Sequence, residues 1–334
     1  MMTKQTSLLA PGPQVEAAIR YDMSEQDYRA ASGLSNSMLK DLEVSPLRFW
    51  FRHVNHNPPM EEPSPYLIFG EALHCAVLEP GAFTSRYVQE LDQADYPNVL
   101  DTVPKIREWI KSKGKEAKGQ LKADVKKCAR LIDPNIQFWD DIEQAHIDAN
   151  HGKEMLSKDF YTRVNGCAES LLSEPVVREL LKEGHPEVSV FARDPETGVL
   201  LKSRMDWVTP SGTIPDLKTF TQKRGASIEK SIGDAIFYEK YHRQGWFYKY
   251  VASLQKNAPD RLRYINIFVE SDPPHDVRIK ELKAGNIYWE IARAEMQGLI
   301  RLYADCLERF GDKPWRDEQA VEELTDEDVK QFAY

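Results

Sequence analysis

The run LLKSRMDWVTPSGTIPDLKT, Leu200 to Thr219, decides how this chain is read. Apolar and polar residues alternate on both sides of Pro210-Ser211-Gly212, so the run predicts two strands, 200–208 and 213–219, joined by a tight turn. Residues two apart in a strand point to the same face, about 7 Å from each other. Asp216 and Lys218 therefore share a face, and Leu217 turns into the core. If the turn is a three-residue loop, antiparallel pairing sets Asp206 opposite Asp216, within the roughly 5 Å at which two carboxylates can grip one cation. A two-residue loop puts Asp206 on the other face.

Outward from this run, alternation also predicts a strand over 187–193, a further strand is predicted over 261–270, and helices are predicted over 235–255 and 285–309. Upstream the period is helical. Leu67, Phe69, Leu73, Ala76 and Val77 recur at helical spacing over 66–78, Pro80-Gly81 ends the pattern, and the helix carries His74. Ser35 reads as a helix N-cap with Leu34 and Leu39 as its hydrophobic staple, and Ser45-Pro46 restarts a helix through Phe49, Trp50 and Phe51. Pro58, Pro59, Pro63 and Pro65 force a loop. Two short helical patterns over 104–133 surround Gly114 and Gly119 and hold seven lysines from Lys111 to Lys127, and helical patterning then runs from 141 to 181. Residues 1–20 read as a disordered arm and 317–334 as an acidic tail. Between them, 21–316 reads as one α/β (α+β) domain with a lysine-rich helical insertion.

The 334 residues are 41% hydrophobic and 29% charged, an ordinary globular balance. No stretch reaches the roughly 18 apolar residues of a membrane span, and no secretory pattern opens the chain, so a cytoplasmic protein without a membrane partner is expected. Cys75, Cys128, Cys167 and Cys306 are too scattered for a zinc site or a disulfide framework. A net charge of -9 argues against a protein that simply coats nucleic acid, so any DNA contact needs a local basic surface or a metal.

Two carboxylates as close as Asp206 and Asp216 repel unless protonated or bridged, and hard oxygen ligands suit Mg²⁺ or Mn²⁺. Lys218 beside them can orient or help deprotonate a water and offset charge on a phosphorane-like transition state. That is the chemistry of phosphodiester hydrolysis.

At this point RMDWV followed by PDLKT resembles the Asp…Asp-x-Lys core of PD-(D/E)xK nucleases. GEALH, Gly70 to His74, resembles the Gly-x-x-x-His helix of the RecB-type branch, and Gln244 to Tyr248 in RQGWFYKY its Gln-x-x-x-Tyr helix. LSNSMLKDLEVSPLRFWFRH resembles the opening helical segment of that branch, and the span from about 33 to 310 is most similar to exodeoxyribonuclease VIII (RecE)-type nucleases. The resemblance implies a mixed central sheet flanked by helices, with an extra helical N-terminal part. It implies Asp206, Asp216, the Leu217 carbonyl and His74 as metal ligands, Glu187 as a water-mediated support, and Gln244 and Tyr248 facing the DNA backbone. It further implies a double-strand exonuclease working 5′ to 3′ to leave 3′ overhangs for recombination. A homo-oligomeric ring on DNA ends follows, with a basic bore including Arg204, Lys218 and Lys223, and a phage-type single-strand annealing protein as partner. Ser45 stands where iron-sulfur relatives have cysteine, so no iron-sulfur cluster is expected.

The same residues admit plainer readings. A lone Asp-x-Lys is most often a solvated strand face, His74 can be a satisfied core histidine, and Glu187, Gln244 and Tyr248 can be surface or packing residues. The lysine run can be a solvated helix face or a small DNA-binding hairpin. For the whole chain, an endonuclease on the same core and a non-catalytic DNA-binding module remain alternatives.

Overall fold

The turn after Val208 is where the sheet divides. The computed structural model describes residues 16–55 and 64–317, and its strands are β1 (Ala18–Arg20), β2 (Tyr87–Gln89), β3 (Glu154–Leu156), β4 (His185–Arg193), β5 (Leu200–Val208), β6 (Thr213–Phe220), β7 (Arg263–Glu270) and β8 (Val277–Leu282). They form a sheet β1-β4-β5, a sheet β6-β7-β8 and a parallel pair β2-β3. The class is mixed α+β, with parallel and antiparallel pairing, and the strands expected in one central sheet are shared between two. The loop between β5 and β6 is closed by Thr209 N–H to Thr213 O at 2.9 Å and ends on Gly212 at φ +81°, the left-handed residue of a three-residue hairpin. Beyond it the backbone ladder is replaced: the Leu217 N–H donates to Asp206 Oδ2 at 2.8 Å. A side chain thus takes up a donor that β6 turns toward β5.

β6 and β7 are parallel, registered from Thr213↔Arg263 to Phe220↔Glu270, so a crossover must join them. The helices Ile228–Tyr238 and Tyr241–Ser253 supply it. One helix was predicted over 235–255; the chain instead breaks at Lys240, in the left-handed region at φ +61°, and His242 Nδ1 donates to the Ile236 carbonyl at 2.8 Å to close the first helix. β8, which escaped the alternation pattern, adds antiparallel to β7. β7 is buried on both faces, and its RYINIFVE run is correspondingly near-continuous in apolar residues. Tyr264 points into a core with Leu39, Met205, Phe247 and Met296, while Ile265, Ile267 and Val269 point into another with Leu73, Val164 and Leu171.

The helix Pro65–Leu78 starts on an N-cap from Ser64 and packs against the helix Lys158–Ser173 over β6 and β7. Ser35 caps Asn36–Val44 through Met38 N–H, and Ser45 caps the next helix through Arg48 N–H, with Pro46 at the first position. The helical stretch predicted from 141 to 181 is interrupted by β3 and by Pro175. The expected arm 1–20 is corrected at its end: Ala18–Arg20 pairs antiparallel with Ser189–Phe191 and so is a strand. Its first fifteen residues, the loop from Pro58 to Pro63 and the tail from 318 onward lie outside the described residues. No helix among the described residues is long and apolar enough to cross a membrane.

Candidate active site

Asp206 on β5 and Asp216 on β6 meet below the hairpin; Asp206 is held from β6 through the Leu217 N–H, Asp216 by Gln244 and by Lys218 of its own strand. Asp216 is fully buried; its Oδ1 accepts from Gln244 Nε2 at 3.0 Å, and its Oδ2 is ion-paired with the Lys218 ammonium. Asp206 is 8% exposed. Burial first, and then the nearby Asp216 charge, push the Asp206 carboxyl up to about 8, against the pull of Lys218 and the Leu217 N–H. Burial opposes the charge on Lys218, yet Asp216 and Asp206 outweigh it and hold the ammonium above its ordinary value. The ammonium also lies 5.0 Å over the Tyr241 ring. The centre is therefore two carboxylates and one cation in a low-dielectric setting.

His74 reaches the same point from the helix above. Its Nε2 lies 3.3 Å from the Leu217 carbonyl oxygen and its Nδ1 3.6 Å from Asp206 Oδ2, the latter too long for a hydrogen bond. Burial, and then Lys218, hold its pKa below the usual imidazole value. Glu187 stands across the β4–β5 pairing from Asp206, at the one position where the register from His185↔Val208 to Arg193↔Leu200 skips a pair. Its φ of +53° is unusual for a residue with a side chain and costs on the order of 1–3 kcal/mol. Burial and Asp206 raise its pKa, and Arg204 Nε donates to it at 2.7 Å.

The remaining predicted residues separate. Gln244 turns its carboxamide onto Asp216, and Tyr248, one turn on, lies deep enough that burial keeps its phenol far from titrating. Arg204 was expected in a basic bore; its side chain is only 15% exposed and is taken up by Glu187, Ser189 Oγ and the Met23 carbonyl, so it braces the site instead. Lys223 is exposed and paired with Asp234 at 3.3 Å, on a separate cavity lined by Pro65, Phe69, Tyr238 and Tyr241.

A cavity of about 650 Å³ opens onto Asp206, His74, Glu187, Glu71 and Tyr248, roofed by residues 21–25 and Arg29. At its mouth Arg29 pairs with Glu71 at 3.1 Å. Tyr241, Tyr264 and Asn266 also surround the centre; Asn266 pairs with Asp216 in the β6–β7 register, and the Tyr264 hydroxyl and Asn266 Oδ1 are buried with no hydrogen-bond partner among the described residues. Sequence reading missed all three. Asn266 had one available signal, a polar residue inside a run otherwise apolar on both faces. The donors that can turn toward a cation are both carboxylates, the Leu217 carbonyl and His74. No three His, Cys, Asp or Glu side chains among the described residues are drawn to metal-ligating spacing.

No family model matches the chain, and no curated protein is similar to it. Among solved structures, it is similar to a Eubacterium rectale protein described provisionally as an exonuclease, with 17% identity, 89% of this chain and 92% of that one covered, and a TM-score of 0.44. A second solved chain, SSO0001, covers 49% of this chain and 67% of its own at 14% identity and a TM-score of 0.25. Likeness at this level leaves fold and activity to be argued from the residues.

Proposed function

We propose that this chain is a divalent-metal-dependent deoxyribonuclease of the PD-(D/E)xK type, acting as a double-strand exonuclease from DNA ends. The observation that carries the reading is the convergence of Asp206, Asp216 and Lys218, with Asp206 lining the cavity and the other two behind it. Asp216 Oδ2 is neutralised by the Lys218 ammonium and has no further hydrogen-bond partner among the described residues, and Asp206 ionises only against a second buried carboxylate, so the pair has capacity for one more cation. Hard oxygen donors with one imidazole beside them fit Mg²⁺ or Mn²⁺. Held by Asp206, Asp216 and the Leu217 carbonyl, with His74 alongside, such an ion would polarise a phosphoryl oxygen and make water nucleophilic at neutral pH.

The chain's own residues supply the rest. Lys218 is a cation fixed against Asp216, positioned to offset charge developing on the phosphoryl group and to orient the attacking water. Gln244 fixes the rotation of Asp216, and the Leu217 N–H fixes that of Asp206. Glu187, held by Arg204, offers a carboxylate of raised pKa on the cavity wall, able to take up a proton. Polarity from 5′ to 3′, 3′ overhangs for recombination, a ring-shaped homo-oligomer and an annealing partner rest on the family resemblance alone.

The test is digestion of linear duplexes labelled separately at the 5′ and 3′ ends, beside a covalently closed circle, with and without Mg²⁺. Release of 5′ label from linear DNA only, abolished by Asp206→Asn and by EDTA, is expected. Cleavage of the circle would favour an endonuclease. Lys218→Ala degrading linear DNA at the parent's rate would remove the reading altogether.

A further inference from the structure

The helices Val103–Ser112 and Lys122–Ile132 bury Ile106, Ile110, Val125, Ala129 and Phe138 in a cluster of their own, separate from the cores around the sheets. The segment is closed at its neck by a backbone bridge between Leu100 and Phe138. It is thus a small unit inserted in the fold. Between Leu100 and Phe138 it holds ten lysines and arginines against five carboxylates, on a chain of net charge -9.

Half of those cations have structural work. Lys105 pairs with Asp101, Arg107 donates to the Ala117 and Gly119 carbonyls of the connecting segment, Lys122 and Lys126 meet Asp140, and Arg130 meets Asp141. The other five, Lys111, Lys113, Lys115, Lys118 and Lys127, are exposed, and none has an ion pair with a carboxylate among the described residues. An ordinary solvated helix face of this chain looks different: Arg29–Glu25, Arg163–Asp159, Lys230–Asp234 and Arg309–Asp305 are each matched one turn apart. Four of the five unmatched lysines fall within the eight residues from Lys111 to Lys118, where Glu116 is the sole carboxylate.

We propose that this lysine-rich insertion is a sequence-independent grip on the phosphate backbone of duplex DNA, apart from the carboxylate centre. Its flexible point charges suit phosphates rather than base edges, and on a chain of net charge -9 they supply a local basic surface. It goes beyond the catalytic reading and stands without it, because binding can be measured in EDTA with no cleavage.

The experiment measures anisotropy of a fluorescent random-sequence duplex of several helical turns, titrated with the full chain in EDTA from about 50 to 200 mM NaCl. Parent and the triple variant Lys113→Gln, Lys115→Gln, Lys118→Gln are compared, with thermal melts to show that both fold. The triple variant is expected to bind more than about ten-fold more weakly at 0.1 M salt, with a log–log salt slope shallower by about 3, one for each phosphate that is no longer neutralised. If the parent binds in this way yet never cleaves DNA in Mg²⁺, only the catalytic reading falls. An unchanged slope in the folded triple variant overturns the proposal. So does parent binding to phosphatidylglycerol vesicles, abolished in the triple variant, without binding to duplex.

Discussion

Lys218→Met is the sharpest probe of the centre. Methionine keeps much of the side-chain volume but removes the only cation contacting the buried Asp216 Oδ2 among the described residues. Breaking a buried pair from one side typically costs about 3–5 kcal/mol, because the surviving charge is left uncompensated. Asp206, pushed up to about 8, is mostly protonated at neutral pH, so the stranded charge is chiefly that of Asp216 and the whole of that range is expected. In EDTA at neutral pH the folded-to-unfolded ratio should fall by roughly two to four orders of magnitude. At an m-value of about 3 kcal/mol/M, the urea midpoint should drop by about 1 M or more. Adding Asp216→Asn to Lys218→Met removes the stranded charge and should recover most of the loss, a coupling that a double-mutant cycle reads directly. Mg²⁺ should stabilise the single variant in proportion to the logarithm of its concentration over Kd. A Lys218→Met midpoint equal to the parent's in EDTA, or a double variant no more stable than the single, would refute the picture of two carboxylates held by one cation.

Lys202 supplies a pH signature away from that centre. Burial pushes its ammonium from 10.5 down to about 8, while it donates to the Tyr28, Arg29 and Ala31 carbonyls at the end of the helix Glu25–Ala30. Between pH 8 and 10.5 the folded chain has released a proton that the unfolded chain still holds, so this group makes stability rise with pH, by up to about 3 kcal/mol. Urea melts across that window should show the rise in the parent and lose it in Lys202→Met; the same rise in both would contradict it. Lys202→Met should itself cost about 1–3 kcal/mol at pH 7 by orphaning those carbonyls. Gly245→Ala places a Cβ 2.5 Å from the Tyr264 ring in a packed core. It should lower stability by about 1–3 kcal/mol, with thermal melting as the measure, and a melting point equal to the parent's would show that Tyr264 gives way freely.

The features legible in the sequence were those written in neighbouring residues. Alternation marked β4, β5 and β6, a near-continuous apolar run marked β7, and Ser35 and Ser45 announced their helices because a cap is satisfied two or three residues away. The length of the Pro210-Ser211-Gly212 loop was left open, and it is the odd length, with Gly212 left-handed, that the chain adopts. β1 and β8 escaped because a short or half-polar edge strand is stabilised by the strand it joins more than by its own pattern. The break at Lys240 escaped because helical periodicity continues across it, and the bond from His242 to Ile236 forms only once the chain has turned.

By itself, then, the sequence determined the strand-turn-strand unit, the shared face of Asp216 and Lys218, the helix carrying His74 and the lysine-rich insertion. Tertiary structure alone decided that the sheet divides at Asp206, that Gln244 belongs to Asp216, that Arg204 is spent on Glu187, and which lysines stay unpaired. The reason is one of range. Periodicity and capping act over a few bonds, whereas the partner of a buried charge is chosen by whatever the fold brings near, as Arg243 pairs with Glu43 two hundred residues away.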